Sequence, residues 1–340
     1  MNLVFRTDAS ITMGTGHAMR CLALAQAWQD SGGRAVFAMA ESTPAVRKRL
    51  ASENCEVLTI SSTAGDAEDA RQTAALAHIE PAGWVVVDGY QFTFAYQNVL
   101  KAVGCRILFL DDYGHATHYS ADLVLNQNVC ASEALYASKE PYTRLLLGPR
   151  YSLLRREFSA WRGWKRKVAP VCHRLLLMMG GSDAENLTGR VISALEGFRD
   201  LEVAVVVGGS NPHFAELADQ VERSGQKITL QQDVANMPEL MASADVAFSA
   251  AGSTTWELCL MGLPSMLVDV AANQTEVAKE LDRSGYAVHV GDGSVSASAI
   301  TEQLERVLGS WELRRLLAER CGSLVDGYGT GRVLSELTGV

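Results

Sequence analysis

Residues 3–28 read LVFRTDASITMGTGHAMRCLALAQAW, and this stretch decides how the N-terminal half of the chain folds. Leu3–Phe5 form a short apolar run that is typical of a buried strand, and residues 6–13 predict a loop. From Ala18 onward, apolar residues recur with the i, i+3, i+4, i+7 spacing of one helical face, at Cys21, Leu24, Ala25 and Trp28. The stretch therefore predicts a strand, a loop and a helix, which is the opening unit of an α/β domain.

The segment Gly14-Thr15-Gly16-His17 lies where this loop meets the helix. Gly14 and Gly16 allow a ligand to approach the backbone closely. The N-terminus of the helix offers free N–H groups and the positive end of the helix dipole. His17 adds a side chain that can act as a base near neutral pH. Together these features predict a site, with His17 as its catalytic residue.

Length and composition limit the class of protein. The chain has 340 residues, enough for two domains, and its 48% hydrophobic and 20% charged residues are typical of a globular protein. A formal net charge of −9 argues against nonspecific binding to nucleic acid or anionic membranes. The seven cysteines form no disulfide or zinc-ribbon pattern, which favours a reducing compartment. With no signal peptide pattern and no apolar run near roughly 18 residues, we expect a cytoplasmic protein without a membrane partner.

Short apolar runs alternate with helical patterns in both halves, which predicts parallel sheets built from βαβ units. In the first half these runs are Ala35–Met39, Val57–Ile60, Trp84–Val87, Ile107–Leu110 and Leu123–Leu125. In the second half they are Leu175–Met179, Val203–Val207, Ile228–Leu230, Val246–Phe248, Met266–Val268 and Ala287–Val290. We predict an α/β protein with two Rossmann-like doubly wound domains that face a ligand-binding cleft.

The alternation is interrupted by a basic stretch, with arginines or lysines at 155, 156, 162, 165, 166 and 167, followed by Pro170. We favour a solvated linker over a phosphate-binding patch for this stretch. The predicted organisation is an N-terminal Rossmann-like domain with the catalytic loop over residues 1–150, a linker over 151–170, and a nucleotide-binding Rossmann-like domain over 171–340.

Loops that follow strands of the second half carry further candidates. Gly180-Gly181-Ser182-Asp183 is a weak signal, because such turns are often only tight connections. Residues 250–257 read AAGSTTWE, in which Ser253 and Thr254 can start a helix whose N-terminus would face a phosphate. Glu257 could be a capping-box acid or could bind the two hydroxyls of a ribose. Asn273-Gln274 could contact a polar ligand or could only cap the helix expected from Thr275.

Two acidic segments end strands of the first half, Asp88-Gly89-Tyr90 and Asp111-Asp112-Tyr113-Gly114-His115. The aspartate pair with His115 and His118 could hold a metal ion, but the spacing matches no standard motif and aspartates commonly cap turns. We therefore expect neither a metal nor a cofactor.

The motifs together resemble the UDP-2,4-diacetamido-2,4,6-trideoxy-β-L-altropyranose hydrolases of pseudaminic acid biosynthesis. The matching segments run in order along nearly the whole chain: residues 6–8 (RTD), 14–22 (GTGHAMRCL), 88–90 (DGY), 110–112 (LDD), 125–128 (LNQN), 147–155 (LGPRYSLLR), 180–188 (GGSDAENLT), 250–253 (AAGS) and 273–274 (NQ). That family is related in fold to GT-B glycosyltransferases, notably the N-acetylglucosaminyltransferase of peptidoglycan synthesis. The combination is specific, whereas no single segment is.

The resemblance implies a role for each matched residue. It implies that His17 is catalytic, that Gly252, Ser253 and Thr254 bind the UDP, and that Glu257 contacts the ribose. It further implies that Tyr90 and Asn273 line the sugar site. The predicted substrate-binding set is completed by Gly14, Gly16, Arg20, Gly181, Ser182 and Gln274.

The activity expected from the resemblance is hydrolysis of a UDP-sugar at the anomeric carbon, with His17 taking a proton from the attacking water. UDP is already a stable anion, so one base suffices, and a single displacement inverts that carbon without a metal. The expected partner is a small-molecule UDP-sugar, and the expected state is a monomer or weak homo-oligomer. One alternative is a GT-B glycosyltransferase that uses a UDP-sugar donor, and another is a nucleotide-sugar-binding module without catalysis.

Overall fold

The computed structural model describes residues 2–79, 82–232, 234 and 236–339. The chain forms two compact units. The first runs to Arg156 and resumes at Tyr328, and the second is Glu157–Gly327.

The first unit contains a parallel sheet with helices between its strands. The strands are β1 (Asn2–Thr7), β2 (Arg34–Met39), β3 (Glu56–Thr59), β4 (Ala82–Asp88), β5 (Ile107–Leu110), β6 (Leu123–Asn126) and β7 (Arg144–Leu147). The helices are α1 (Gly16–Asp30), α2 (Pro44–Ser52), α3 (Ala67–Ile79) and α4 (Phe94–Ala102). Short 3-10 turns follow at Glu133–Tyr136 and Pro149–Tyr151, and a third, Arg156–Trp161, begins at the last residue of this part and continues into the second unit.

The strand order is β3-β2-β1-β4-β5-β6-β7, so the chain reverses its direction of travel across the sheet between β1 and β4. Ligands of doubly wound sheets bind at the carboxyl ends of the strands beside such a switch point. The strands are buried on both faces: Leu3 and Phe5 join one apolar cluster and Val4 joins another. Phe5 stacks on Phe37 of β2, with ring centroids 4.8 Å apart.

The second unit repeats this plan. Its strands are β8 (Arg174–Met178), β9 (Glu202–Val207), β10 (Lys227–Gln232), β11 (Val246–Ala250), β12 (Ser265–Asp269) and β13 (Val288–Asp292). Its helices are α5 (Leu187–Ala194), α6 (Phe214–Ser224), α7 (Met237–Ser243), α8 (Thr254–Leu260), α9 (Ala272–Arg283), α10 (Ala297–Gly309) and α11 (Trp311–Leu324). The strand order β10-β9-β8-β11-β12-β13 is again parallel, with a switch point between β8 and β11.

The predicted pair of doubly wound α/β domains is confirmed, and each predicted apolar run forms a strand. Two details differ. Strand β1 extends to Thr7, two residues into the predicted loop, and the buried Arg6 guanidinium is paired inside the unit with Asp69 and Asp8. Helix α1 begins at Gly16, so His17 lies within its first turn rather than before it.

The C-terminal segment corrects the predicted domain division. The prediction placed all of residues 171–340 in the second domain, but the last helix, α12 (Gly329–Thr338), packs on the first unit. Val333 and Leu337 join the same apolar cluster as Leu3, and the Leu337 carbonyl accepts a 2.8 Å hydrogen bond from the Trp84 indole. The cause is an apolar helical face whose matching surface lies on the first sheet.

The basic stretch is also more ordered than a solvated linker. Leu153 and Leu154 are buried in the first unit. Arg166, in the second unit, donates hydrogen bonds to three carbonyl oxygens, those of Met241, Ala244 and Met261. Across the residues that the structure describes, helices long and apolar enough to cross a membrane are absent.

Candidate active site

The catalytic candidate His17 lies at the switch point of the first sheet. The first turn of α1 places its ring beside the carboxyl end of β4, where Asp88 is the last strand residue. His17 Nδ1 lies 2.6 Å from Asp88 Oδ1, and the His17 side chain is 11% exposed whereas the Asp88 side chain is fully buried. Since a carboxylate only accepts hydrogen bonds, Nδ1 carries the proton and donates it. The other ring nitrogen, Nε2, is then the basic one.

Arg20 lies one helical turn after His17 and bridges two carboxylates. Its Nε and Nη2 donate to Asp88 Oδ2 and Oδ1, both at 2.6 Å, and its Nη1 donates to Asp112 Oδ1 at 2.7 Å. The prediction placed Arg20 among the substrate ligands. In the structure all three of its nitrogen atoms are paired with protein carboxylates, and its side chain is 7% exposed.

Tyr90 completes the cluster from the loop after β4. Its hydroxyl donates to Asp112 Oδ2, and its ring meets the His17 ring edge to face, with centroids 4.9 Å apart. Asn128 Nδ2 also donates to Asp112 Oδ1, at 3.0 Å. The structure therefore brings His17, Arg20 and Tyr90 together, as the prediction required for a common site.

The charges in this cluster fix its protonation. Burial by itself raises the pKa of Asp88, but Arg20, followed by His17, more than offsets this and holds that pKa well below its usual range. Asp112 behaves likewise, with a pKa lowered by Arg20 against the effect of burial. Burial, with the nearby Asp112 carboxylate, raises the pKa of the Tyr90 hydroxyl well above its usual value. Near neutral pH, both aspartates are ionised and Tyr90 keeps its proton.

The loop before α1 is exposed and is closed on itself. Gly14 pairs with Ser10 through an isolated antiparallel bridge, and its φ of +81° is in the left-handed region that favours glycine. Ile11 and Met13 on this loop are 48% and 39% exposed. Gly16, the other predicted glycine, is the first residue of α1 and is exposed.

In the second unit, the loop after β8 caps its own helix. Asp183 accepts hydrogen bonds from the backbone N–H groups of Leu187 and Thr188, and Asn186 accepts one from Gly189. The N-terminus of α5 therefore already holds a carboxylate of the protein. The Gly181 backbone packs closely against Gly208, because a Cβ added to Gly208 would lie 2.4 Å from the Gly181 carbonyl oxygen. Ser182 is buried beside it.

The loop after β11 differs from it. Ser253 is the N-cap residue of α8, and its side chain makes no capping hydrogen bond. Gly252, Ser253 and Thr254 are all partly exposed, while Glu257 is buried in the first turn of the helix. Small residues and an N-cap side chain that makes no capping bond are features that suit such a loop to an anionic ligand.

The predicted carboxamides lie next to this loop. A Cβ on Gly252 would lie 3.6 Å from Gln274 Nε2, so these two residues are neighbours. Helix α9 begins at Ala272 and not at Thr275 as predicted, because Ala271 takes the N-cap position. Asn273 and Gln274 thus lie in the first turn, and Gln274 Oε1 accepts a hydrogen bond from the Val270 N–H.

Asp88 and Asp112, which pair with His17 and Arg20, are members of this cluster that the sequence analysis left out of the candidate site. Their signal was a carboxylate at the end of each of two adjacent strands, β4 and β5, beside the switch point. The residues considered for a metal have separate partners. Asp111 caps the N–H groups of residues 112–114 and contacts His115, whereas His118 contacts Ser138 and Glu140.

Comparison with known proteins agrees with this architecture. Residues 175–314 match the glycosyltransferase family 28 C-terminal domain. The chain is 29% identical over 235 residues to the spore coat polysaccharide biosynthesis protein SpsG of Bacillus subtilis, covering 68% of each chain. It is 26% identical over 293 residues to the UDP-2,4-diacetamido-2,4,6-trideoxy-β-L-altropyranose hydrolase of Campylobacter jejuni, covering 85% of this chain and 98% of that one.

The fold is also shared with a solved structure. The crystal structure of MurG from Acinetobacter baumannii superposes with a TM-score of 0.66 at 15% identity, over 100% of each chain. The predicted resemblance to the hydrolase and the predicted relation to the GT-B fold are both confirmed. Residues 175–314, which match the glycosyltransferase family 28 C-terminal domain, lie within the second unit.

Proposed function

We propose that the chain is a UDP-sugar hydrolase that acts on UDP-2,4-diacetamido-2,4,6-trideoxy-β-L-altropyranose. Water attacks the anomeric carbon, the C–O bond to the diphosphate breaks, and UDP and the free sugar leave, with inversion at that carbon. The free sugar then serves pseudaminic acid synthesis. The observation that carries the proposal is the 2.6 Å contact between His17 Nδ1 and Asp88.

This contact gives His17 the orientation of a general base. With Nδ1–H donated to Asp88, Nε2 has its lone pair available to take a proton from water. The ionised carboxylate then stabilises the imidazolium that forms, as in other histidine–aspartate pairs. Arg20 and Asp112 hold Asp88 and Tyr90 in place around the ring.

The second unit is assigned to the nucleotide. We place the diphosphate at Gly252, Ser253 and Thr254, where the Ser253 side chain makes no capping hydrogen bond to α8. Glu257 is assigned to the ribose hydroxyls, and Asn273 and Gln274 to the sugar side of the same ligand. The loop at Gly181 and Ser182 contributes less to binding the diphosphate, because the Asp183 carboxylate already accepts hydrogen bonds from the N-terminal N–H groups of α5.

The choice of hydrolysis as the reaction is supported by a relative that has this activity in its name and that matches 85% of this chain. A competing proposal is a glycosyltransferase with a UDP-sugar donor. The family 28 match in the second unit and the likeness to MurG favour it. The two differ in the acceptor, which is water in one case and a second sugar or lipid-linked sugar in the other.

A UDP-release assay in ¹⁸O-labelled water tests the proposal. We expect UDP release from the purified protein without an added acceptor, label on the sugar, and an inverted anomer in the first NMR spectra. Label on UDP would mean attack at phosphorus and would contradict the scheme. UDP release that depends on an added acceptor would establish the transferase instead. His17→Ala serves as the background control.

A further inference from the structure

We propose that Arg20 is a positioning residue that limits how strongly Asp88 draws a proton onto His17, and that it is not a ligand of the substrate. This inference rests on the proposed function, in which His17 must be unprotonated to accept a proton from water. It assigns to the buried arginine a role in setting the pH range over which the base is available.

The geometry places Arg20 and His17 in competition for one carboxylate oxygen. Arg20 Nη2 and His17 Nδ1 both lie 2.6 Å from Asp88 Oδ1, and they lie 3.2 Å from each other. The Arg20 Nε takes the second oxygen of Asp88. A bidentate guanidinium neutralises much of the charge of a carboxylate, so less of that charge is left to stabilise an imidazolium.

The groups that face His17 make this effect large. Asp88 at the end of β4 and Asp112 after β5 are both ionised and buried, and Tyr90 is a neutral phenol. The Cys21 thiol lies 3.5 Å from Asp88 Oδ2, and burial, with Asp88, raises its pKa, so it stays uncharged. Among the residues that the structure describes, Arg20 is therefore the cation paired with both carboxylates beside the ring.

Without Arg20, two buried negative charges would remain beside His17, and a proton on the imidazole would be the nearest compensation. The titration of His17 should then move to higher pH. An opposite charge within about 4–6 Å shifts such a titration by roughly 1–3 pH units. The chain offers a matched control in Arg6, which forms the same kind of bidentate pair with Asp69 and a third contact with Asp8.

The experiment follows the His17 imidazole by ¹⁵N NMR in the ligand-free protein, with the resonance assigned by its loss in His17→Gln. We expect Arg20→Gln to raise the titration midpoint by about one pH unit or more. Arg20→Lys keeps the charge but cannot bond both aspartates through a fork, so it should raise the midpoint by less. Arg6→Lys should leave the midpoint unchanged while lowering the melting temperature.

An unchanged midpoint in both Arg20 variants would overturn the proposal, and if Arg20→Gln does not fold, Arg20→Lys decides alone. In UDP-release assays, the acid limb of the pH–rate profile should move with the midpoint at constant KM. A raised KM with an unmoved limb would make Arg20 a substrate ligand and also overturn the proposal. If the wild type releases no UDP from any UDP-sugar, the proposed function fails, and the NMR result still decides the role of Arg20.

Discussion

The two switch points differ in the residues that surround them, which are buried charged side chains in the first unit and small residues in the second. In the first unit, the carboxyl ends of β4 and β5 supply buried carboxylates, and Arg20, His17 and Tyr90 are tied to them by hydrogen bonds. In the second unit, the loop between β11 and α8 consists of small residues, and its N-cap side chain makes no capping bond. The same strand order therefore supports a fixed cluster of charged side chains in one unit and an open backbone surface in the other.

The difference teaches how one architecture can be divided between two tasks. A base must be held in one tautomer and one orientation, which requires a supporting shell of buried partners. A diphosphate is recognised through backbone N–H groups, which requires close approach and little side-chain bulk. The proposed function follows this division, and variants of each switch point should therefore affect different kinetic constants.

Removal of the base should have the largest effect. His17→Ala should lower kcat by roughly 10²–10⁴-fold, because that is the usual contribution of a general base. UDP affinity, measured by calorimetry, should stay within about twofold, since the nucleotide is assigned to the other unit. A variant that kept full activity, or that lost UDP binding in proportion, would remove the contrast between the two switch points.

Removal of the partner of the base should come next. Asp88→Asn keeps the shape of the side chain but can no longer accept both hydrogen bonds as a charged group, so His17 loses its fixed tautomer. We expect kcat to fall on the order of 10²-fold with KM nearly unchanged. Asp111→Asn is the control, because that aspartate caps a neighbouring turn. Equal losses in both variants would indicate a general loss of folding.

Much of the fold was accessible from sequence, because strands buried on both faces are continuously apolar. Runs such as Ile107–Leu110 can be recognised as strands from their own residues, without knowledge of the strands beside them. The partner of the last helix could not be predicted in the same way. The apolar face of α12 shows that the helix packs somewhere, but only the folded chain shows that Val333 meets the first sheet.

The residues of the candidate site likewise differ in whether the local sequence or only the folded chain shows their partners. Gly14 and His17 can be recognised as candidates from the local sequence, because a glycine and a possible base lie beside a predicted helix start. The pairing of His17 with Asp88 joins residues 71 positions apart, and the sharing of Asp88 with Arg20 is a property of three-dimensional distance. For this reason, the sequence could point to His17 as a candidate base but could not show that Arg20 pairs with Asp88 and Asp112.

The two units should also differ in their response to acid. The pKa values of Asp69, Asp88, Asp111 and Asp112 in the first unit are all lowered, by pairing with Arg6, Arg20 and His115 that outweighs burial. Each of these carboxylates stabilises the fold above its unfolded pKa of about 4, and that stability is lost as the pH falls through and below this value.

We therefore expect the first unit to open at higher pH than the second. Brief deuterium pulses after equilibration between pH 6 and 3, corrected for intrinsic exchange, should show peptides of β1 and β4 losing protection about one pH unit before those of β8 and β11. Asp69→Asn removes one of these carboxylates at a position away from His17, and it should reduce the difference between the pH values at which the two units lose protection. Simultaneous opening of both units would contradict a difference in buried charge.

On the nucleotide side, Glu257→Gln should raise the Kd for UDP by roughly 10–100-fold, since a hydrogen bond to a charged group is worth about 1.5–3 kcal/mol. The turnover number at saturating substrate should change little. Glu239→Gln is a matched control, because Glu239 is an exposed acid in the first turn of α7, in the same unit. If Glu257 serves only as a capping acid, the two variants should lower the melting temperature alike and leave the Kd unchanged.

The smallest expected effect concerns two glycines of the second unit, and it distinguishes a glycine that leaves room for a ligand from one that is required for packing. A Cβ at Gly252 would meet only Gln274 Nε2, at the ordinary contact distance of 3.6 Å, so Gly252→Ala should leave the melting temperature nearly unchanged. The added methyl group would still obstruct a diphosphate against the backbone and should weaken UDP binding by about tenfold. At Gly208, a Cβ would lie 2.4 Å from the Gly181 carbonyl, so Gly208→Ala should instead destabilise the second unit. Calorimetry of UDP binding and thermal unfolding of both variants would show whether the loop after β11 is kept small for a ligand. Unchanged UDP affinity in Gly252→Ala would mean that its small residues serve the fold alone.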